Sequence, residues 1–247
     1  MKADPFVQLR LLELQGLDSA LDRLRHRRST LPELAEMARL DGLVDALRDG
    51  VVRAETEVSD LAREQARFEK EIEQVRARRD RDESRLASGA ITASKQLQDL
   101  EREVASLRRR QSELEDGELE VMERAETAQA SLSELTSRRE AHLADRARAE
   151  AGAEVAFVEL DAETSRTAGV REEVAASLPA DLLALYEKLR ASEGGVGAGE
   201  IARGRCGGCH LDLMNNEKAA FRAAPPDEVL RHEECNRILV RTAESGL

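Results

Sequence analysis

The chain carries three cysteines and four histidines, and all three cysteines fall in one window near the C-terminus: Cys206-Gly-Gly-Cys209 and, 22 residues on, His232-Glu-Glu-Cys235. A C-x-x-C turn lets two thiolates converge on one metal while the intervening amides hydrogen-bond to sulfur. A zinc ribbon joins two such knuckles from adjacent hairpins. The second knuckle here begins with histidine, and imidazole can replace a thiolate on Zn²⁺ because the ion has no d-electron preference. Cys206, Cys209, His232 and Cys235 are therefore the expected ligands of one Zn²⁺. Four protein ligands leave no open position for water, so the metal is expected to be structural and no catalytic residue is assigned. Three thiolates, one neutral imidazole and the dication sum to a charge of about −1, for which Arg205 and Arg237 are candidate partners.

Other uses of these residues fit less well. His210 directly follows Cys209, so "CGGCH" matches a haem-attachment pattern. The N-terminus "MKADPFVQLRLLELQG" lacks the uninterrupted apolar stretch of an export signal. As a zinc ligand in place of His232, His210 is disfavoured because adjacent residues rarely aim at one metal. A redox dithiol wants a βαβ context, and the Gly-rich flanks do not supply one. An odd number of closely spaced cysteines favours metal over a disulfide framework, and the expected setting is cytoplasmic.

The elements that must carry this site are helical. Aromatics are 2% of the 247 residues and charged residues 36%, a composition for long amphipathic helices rather than a thick core. Leu47, Val51, Ala54, Val58, Leu61, Gln65, Phe68, Ile72, Val75, Arg79, Asp82 and Leu86 alternate spacings of four and three. After "ASGAITAS" the pattern resumes with Leu97, Leu100, Val104, Leu107, Gln111, Leu114, Glu118, Val121, Ala125, Ala128, Leu132 and Leu135. This is the seam of a left-handed coiled coil. Gly89 and its Ser/Thr-containing neighbours break it, which predicts an antiparallel hairpin. The polar seam residues would weaken pairing while fixing register.

The fold class expected is mostly α: a long antiparallel coiled-coil hairpin followed by a small, β-rich C-terminal zinc ribbon. The hairpin domain is assigned to 1–180 with its tip near 87–94, a short connecting helix to 181–193, and the ribbon to 194–247. Leu9, Leu12, Leu14, Leu17, Leu21, Leu24 and Leu31 form a further apolar stripe, interrupted at Pro32 and suited to pairing two copies as a homodimer.

The formal charge of −12 opposes indiscriminate binding to nucleic acid or anionic lipid, and no apolar run reaches the roughly 20 residues of a membrane span. Charge is uneven, however. Between 76 and 110 lie ten basic residues, Arg76, Arg78, Arg79, Arg81, Arg85, Lys95, Arg102, Arg108, Arg109 and Arg110, against six acidic ones. Nine of these, the arginines, are candidate partner-binding residues at a basic tip, set against the plainer reading of alternating charges on solvated helix faces. The ribbon has seven basic and eight acidic residues and one aromatic, Phe221, so it lacks the stacking platform of a single-strand binder. The partner expected is a protein, with RNA or DNA as the alternative; no small-molecule substrate and no membrane are expected.

In "CGGCHLDL", "CNRILVR" and "ITASKQLQDLEREVASLRRRQSELEDGELEVMERAE" the chain resembles a bacterial family in which a long helical hairpin precedes a C-terminal four-cysteine zinc ribbon. The resemblance covers nearly the whole chain, and the ribbon is its specific part. It implies adaptor and regulatory roles: association with an alternative sigma factor, with flagellar or type III secretion components, and with messenger RNA. The Arg-rich composition is similar to that of actinobacterial members, which generally lack those systems, so the resemblance implies the ligand positions rather than a named partner. His232 stands where the family has cysteine, and Asn236 where it has glycine; Asn enters positive φ more readily than most residues.

Overall fold

The computed structural model describes residues 1–246; Leu247, the last residue of the expected ribbon, lies outside them. Helices α1 (Pro5–Ser29), α2 (Pro32–Ala87), α3 (Ser94–Ala176) and α4 (Ala180–Ser192) precede strands β1 (Ala198–Ala202) and β2 (Arg205–Cys206), helix α5 (Asn215–Ala223), and strands β3 (Leu230–Arg231) and β4 (Ile238–Val240). The chain forms two compact units, one of residues Glu36–Ala149, the other joining Met1–Ala35 to the residues from Glu150 onward.

Within Glu36–Ala149 the 4-3 pattern sets the packing. Val51, Ala54, Leu61 and Ile72 of α2 and Val104, Leu107, Leu114, Val121 and Ala128 of α3 are buried. Every other seam position is half-buried except Leu97, which is exposed. Partners run in opposite directions along the two helices: Asp41 with Arg146, Glu64 with Arg124, Glu71 with Arg110, Glu83 with Arg108. This is an antiparallel coiled-coil hairpin. Two polar seam residues answer each other, Arg79 Nη1 donating to Gln111 Oε1 at 2.5 Å, a pairing only one register allows. Gly117 faces Phe68, whose ring would lie 2.9 Å from a Cβ there. Between the helices Gly89 turns the chain at φ +65°.

The other unit is built around a four-stranded sheet of order β2-β1-β4-β3. Hairpins β1–β2 and β3–β4 are antiparallel, and β1 pairs in parallel with β4. Strand alternation sends the side chains two ways. Ala198, Ile238 and Val240 pack on Leu11 and Leu14 of α1, Val174 of α3, and Leu182, Tyr186 and Leu189 of α4. Ile201, Leu230 and Leu239 pack on Cys206, Leu213 and Phe221. One sheet is thus shared by the helical base and by the core beside the cysteines. The chain's first residues pair with the segment just before β3: Ala3 N donates to Asp227 O at 2.8 Å and Val229 N to Met1 O at 3.1 Å. The Leu9–Leu31 stripe points into this same unit. Leu14, Leu24 and Leu31 are buried and only Leu9 remains exposed, so the surface read as a dimer face is largely spent inside the chain.

A buried polar network crosses this base. Tyr186 Oη donates to Asp18 Oδ2 at 2.7 Å, and Arg171 Nε lies 3.1 Å from Asp18 Oδ1. Gln15 Oε1 accepts from Gly197 N at 2.8 Å, fixing where the chain enters β1. Burial, and then the bond to Asp18, hold the Tyr186 hydroxyl well above its ordinary range. Unfolded tyrosine ionises near pH 10 while the native hydroxyl keeps its proton, so this stabilisation is complete below that pH and is lost as pH rises beyond it. Comparing urea unfolding of wild type and Tyr186→Phe between pH 8 and 11 should show the alkaline limb flattened in the variant, by up to about 1.4 kcal/mol per pH unit. Parallel limbs would contradict the assignment.

Candidate metal centre

The two knuckles are built alike, bond for bond. In the first, Cys206 N donates to Leu211 O and His210 N to Cys206 O, at 2.9 and 2.8 Å; in the second, His232 N donates to Arg237 O and Asn236 N to His232 O, at 3.0 and 2.9 Å. The residue after each second cysteine is left-handed, His210 at φ 66° and Asn236 at φ 57°. The arginine before each first ligand reaches that left-handed residue, Arg205 Nη2 to His210 O and Arg231 Nε to Asn236 O, both at 3.1 Å. His232 therefore occupies the backbone position of Cys206. His210 is exposed and serves the turn.

The glycines of "CGGC" are required for closeness. Neither has positive φ. A Cβ on Gly207 would lie 2.9 Å from Glu200 O, and one on Gly208 2.5 Å from Arg237 Cδ. Strand β1 and Arg237 press directly on the first knuckle, which leaves no room for a side chain.

The four donor atoms lie within 4.8 Å of one another. Cys206 Sγ and Cys235 Sγ are 3.9 Å apart, and His232 Nδ1 is 3.3 Å from Cys209 Sγ and 3.0 Å from Cys235 Sγ. Bond lengths of about 2.3 Å to sulfur and 2.0–2.1 Å to nitrogen make the edges of an S₃N tetrahedron about 3.5–3.8 Å, so these side chains fit one zinc with little adjustment. Cys206 and His232 are fully enclosed, at 0% and 1% exposure. This is a zinc ribbon with a place for one structural zinc.

The local electrostatics suit a dication. Burial pushes the Cys206 thiol up to about 11, against amide hydrogen bonds from Cys209 and Gly208. Burial also acts to raise the Cys209 thiol, but the amide of Leu211 and hydrogen bonds with the other two cysteines outweigh it and leave it lowered. A bound Zn²⁺ reverses the cost of burying thiolates. Glu217 on α5 is 2% exposed, and its carboxylate accepts from Met214 N at 2.9 Å and from Glu233 N, inside the second knuckle, at 3.0 Å. Arg237 adds positive potential at Cys209. Its hydrogen bonds, however, go to Val196 O and Glu193 O at 2.8 and 2.6 Å, tying the ribbon to the end of α4. Arg205 pairs with Asp212 at 3.2 Å.

The arginines of the expected basic tip are mostly compensated. Arg76 pairs with Glu115, Arg78 with Glu103, Arg79 with Asp80 and Arg85 with Asp82. Arg102 pairs with Asp99, Arg108 with Glu83 and Arg110 with Glu71. Arg81 and Arg109 have no acidic partner among the described residues. The sequence reading missed Glu217, whose carboxylate reaches back to the Met214 amide; with Met rather than Ser or Thr before the helix, only the glutamate half of a capping box was there to be read. It also missed the sheet's second face.

Comparison with known proteins agrees with this architecture. Residues 14–194 match the CT398-like coiled coil hairpin domain, and residues 205–239 the C4-type zinc ribbon domain. The chain is 41% identical over 241 residues to the uncharacterized protein Rv2229c of Mycobacterium tuberculosis, covering 98% of each. It is 32% identical to the uncharacterized protein ML1638 of Mycobacterium leprae, covering 91% of this chain and 96% of that one. Among solved structures, one from Mycobacterium smegmatis superposes with a TM-score of 0.86 at 35% identity, over 98% of this chain and 100% of that one. CT398 of Chlamydia trachomatis gives 0.66 at 20% identity, over 96% and 98%, a likeness of fold.

Proposed function

This chain belongs to the CT398-like coiled coil hairpin family that carries a C4-type zinc ribbon, and from that premise we propose that it is a non-enzymatic adaptor with a regulatory role, binding a macromolecular partner that is a protein. Cys206, Cys209, His232 and Cys235 hold its zinc, and the metal serves the fold. The closed donor set carries this reading, because four convergent protein atoms leave no coordination position for water or substrate. No helix among the described residues is long and apolar enough to cross a membrane, and the setting proposed is cytoplasmic.

Protein is favoured over nucleic acid by the fate of two features. Phe221, the ribbon's one aromatic, is 8% exposed and packed in the core, where no base can stack on it. Seven of the nine tip arginines are paired with acids, which lowers the counterion release that drives phosphate binding.

The test is co-purification of the zinc-loaded full chain from its host at low and high salt, with mass spectrometry and nuclease controls. A discrete protein retained at high salt, indifferent to nuclease and lost with Cys235→Ser, is the expected result. Material released by nuclease or by moderate salt, and lost in Arg81→Glu/Arg109→Glu instead, would replace this reading with nucleic-acid binding.

A further inference from the structure

We infer that His232 holds the zinc through Nδ1 while its Nε2–H stays buried without an acceptor, so that this ribbon binds its metal more weakly than an all-cysteine ribbon of the same fold would. The inference rests on the ligand set proposed above and goes beyond it to the ligating atom and its consequence.

Geometry selects the atom. Nδ1 is the nitrogen beside the sulfurs, 3.0 Å from Cys235 Sγ and 3.3 Å from Cys209 Sγ. The second knuckle repeats the backbone bonds of the first, so its ligand must reach from the same place as the Cys206 sulfur. Nδ1 lies one bond further from the backbone than a cysteine sulfur; Nε2 lies further still, on the far side of the ring. When Nδ1 gives its lone pair to the metal, the imidazole proton sits on Nε2.

That nitrogen is buried and has no hydrogen-bond partner. A zinc-bound histidine ordinarily donates its other N–H to a carboxylate, carbonyl or water, which orients the ring and strengthens the ligand. Here the nearby buried carboxylate, Glu217, is committed to the amides of Met214 and Glu233. The unmade bond and the missing fourth thiolate both subtract from metal affinity. Cysteine at 232 would remove the orphaned N–H, add a charge, and restore the donor set of the C4-type ribbon domain matched by residues 205–239.

Two measurements on the full chain decide this. In ¹¹³Cd-loaded protein, coupling passes efficiently over three bonds, which from Nδ1 reaches Hε1 alone and from Nε2 reaches both Hε1 and Hδ2. Coupling of cadmium to the His232 Hε1 alone is expected; coupling to Hδ2 as well would overturn the Nδ1 assignment while leaving the ligand set standing. Coupling to no imidazole proton would remove the ligand set itself. In chelator competition, His232→Cys should hold zinc about 10- to 100-fold more tightly than wild type. Equal or weaker binding by a variant with the wild-type circular dichroism spectrum would refute the claimed weakness.

Discussion

Removing the zinc, or replacing Cys206 with serine, is expected to dissolve the ribbon and to loosen the helical base as well, while the seam of Glu36–Ala149 stays helical. The reason is the shared sheet. Leu239 and Ile201 pack beside Cys206 on one face, and Ile238 and Val240 pack on Leu11, Leu14 and Tyr186 on the other. Strands as short as two and three residues, such as β2, β3 and β4, cannot hold register unaided. Structural zinc contributes about 10–16 kcal/mol of apparent binding energy in small zinc-finger peptides, ample to decide whether such a sheet forms. Hydrogen exchange should show protection lost at Ile201, Ile238, Leu239 and Val240, and reduced at Leu11 and Leu14. The seam amides of Val51 to Ile72 should be unaffected. The loss of helical ellipticity should be small, because most of α2 and α3 lies in the other unit. Full retention of protection in metal-free protein would show that the sheet does not depend on zinc.

Asp18→Ala should be the most damaging single change away from the metal. Asp18 is 2% exposed, faces Arg171 Nε at 3.1 Å and Arg190 Nε at 3.5 Å, and accepts from Tyr186. Truncation removes the carboxylate that Arg171 and Tyr186 bond and that Arg190 faces, leaving Arg171 with Glu187, Arg190 with Asp22 and the Tyr186 hydroxyl with only the longer contact to Gln15 Oε1 at 3.2 Å. Breaking a buried charged pair from one side costs about 3–5 kcal/mol. The loss should appear as a lower urea midpoint for the zinc-loaded protein with the denaturant slope unchanged. Asp18→Asn, which keeps an oxygen for Tyr186, should fall between the two. A change below about 1 kcal/mol for the alanine variant would mean that solvent reaches the network and screens it.

Much of this was legible in the chain, for reasons that differ by element. The seam could be read because an alternating four-three spacing has one economical use, and burial follows it from Leu47 to Leu135 with Leu97 the exception. The tip could be read from Gly89, which takes the positive φ that other residues resist. The knuckles could be read because metal chemistry fixes residue type and spacing together, and Asn236 took the left-handed turn expected of it.

The base network could not be read in this way. Gln8, Gln15 and Asp18 lie on the core face of α1, and polar residues there look like interruptions until partners 153 to 218 residues away are known. Helix α5 left a signal that went unused, since a 22-residue gap is long for a structureless loop and Glu217 stands at a capping position. The N-terminal residues pairing beside β3 left none, because backbone hydrogen bonds carry no residue-type signature.

The account's central claim is a single zinc closed by three sulfurs and one nitrogen. Zinc K-edge X-ray absorption, with metal quantified per chain on the same gently purified sample, tests it most directly. The predicted result is one zinc per chain with three sulfurs at about 2.3 Å and one nitrogen at about 2.0–2.1 Å. A substoichiometric or absent metal, or a shell containing oxygen in place of the imidazole nitrogen, would contradict it.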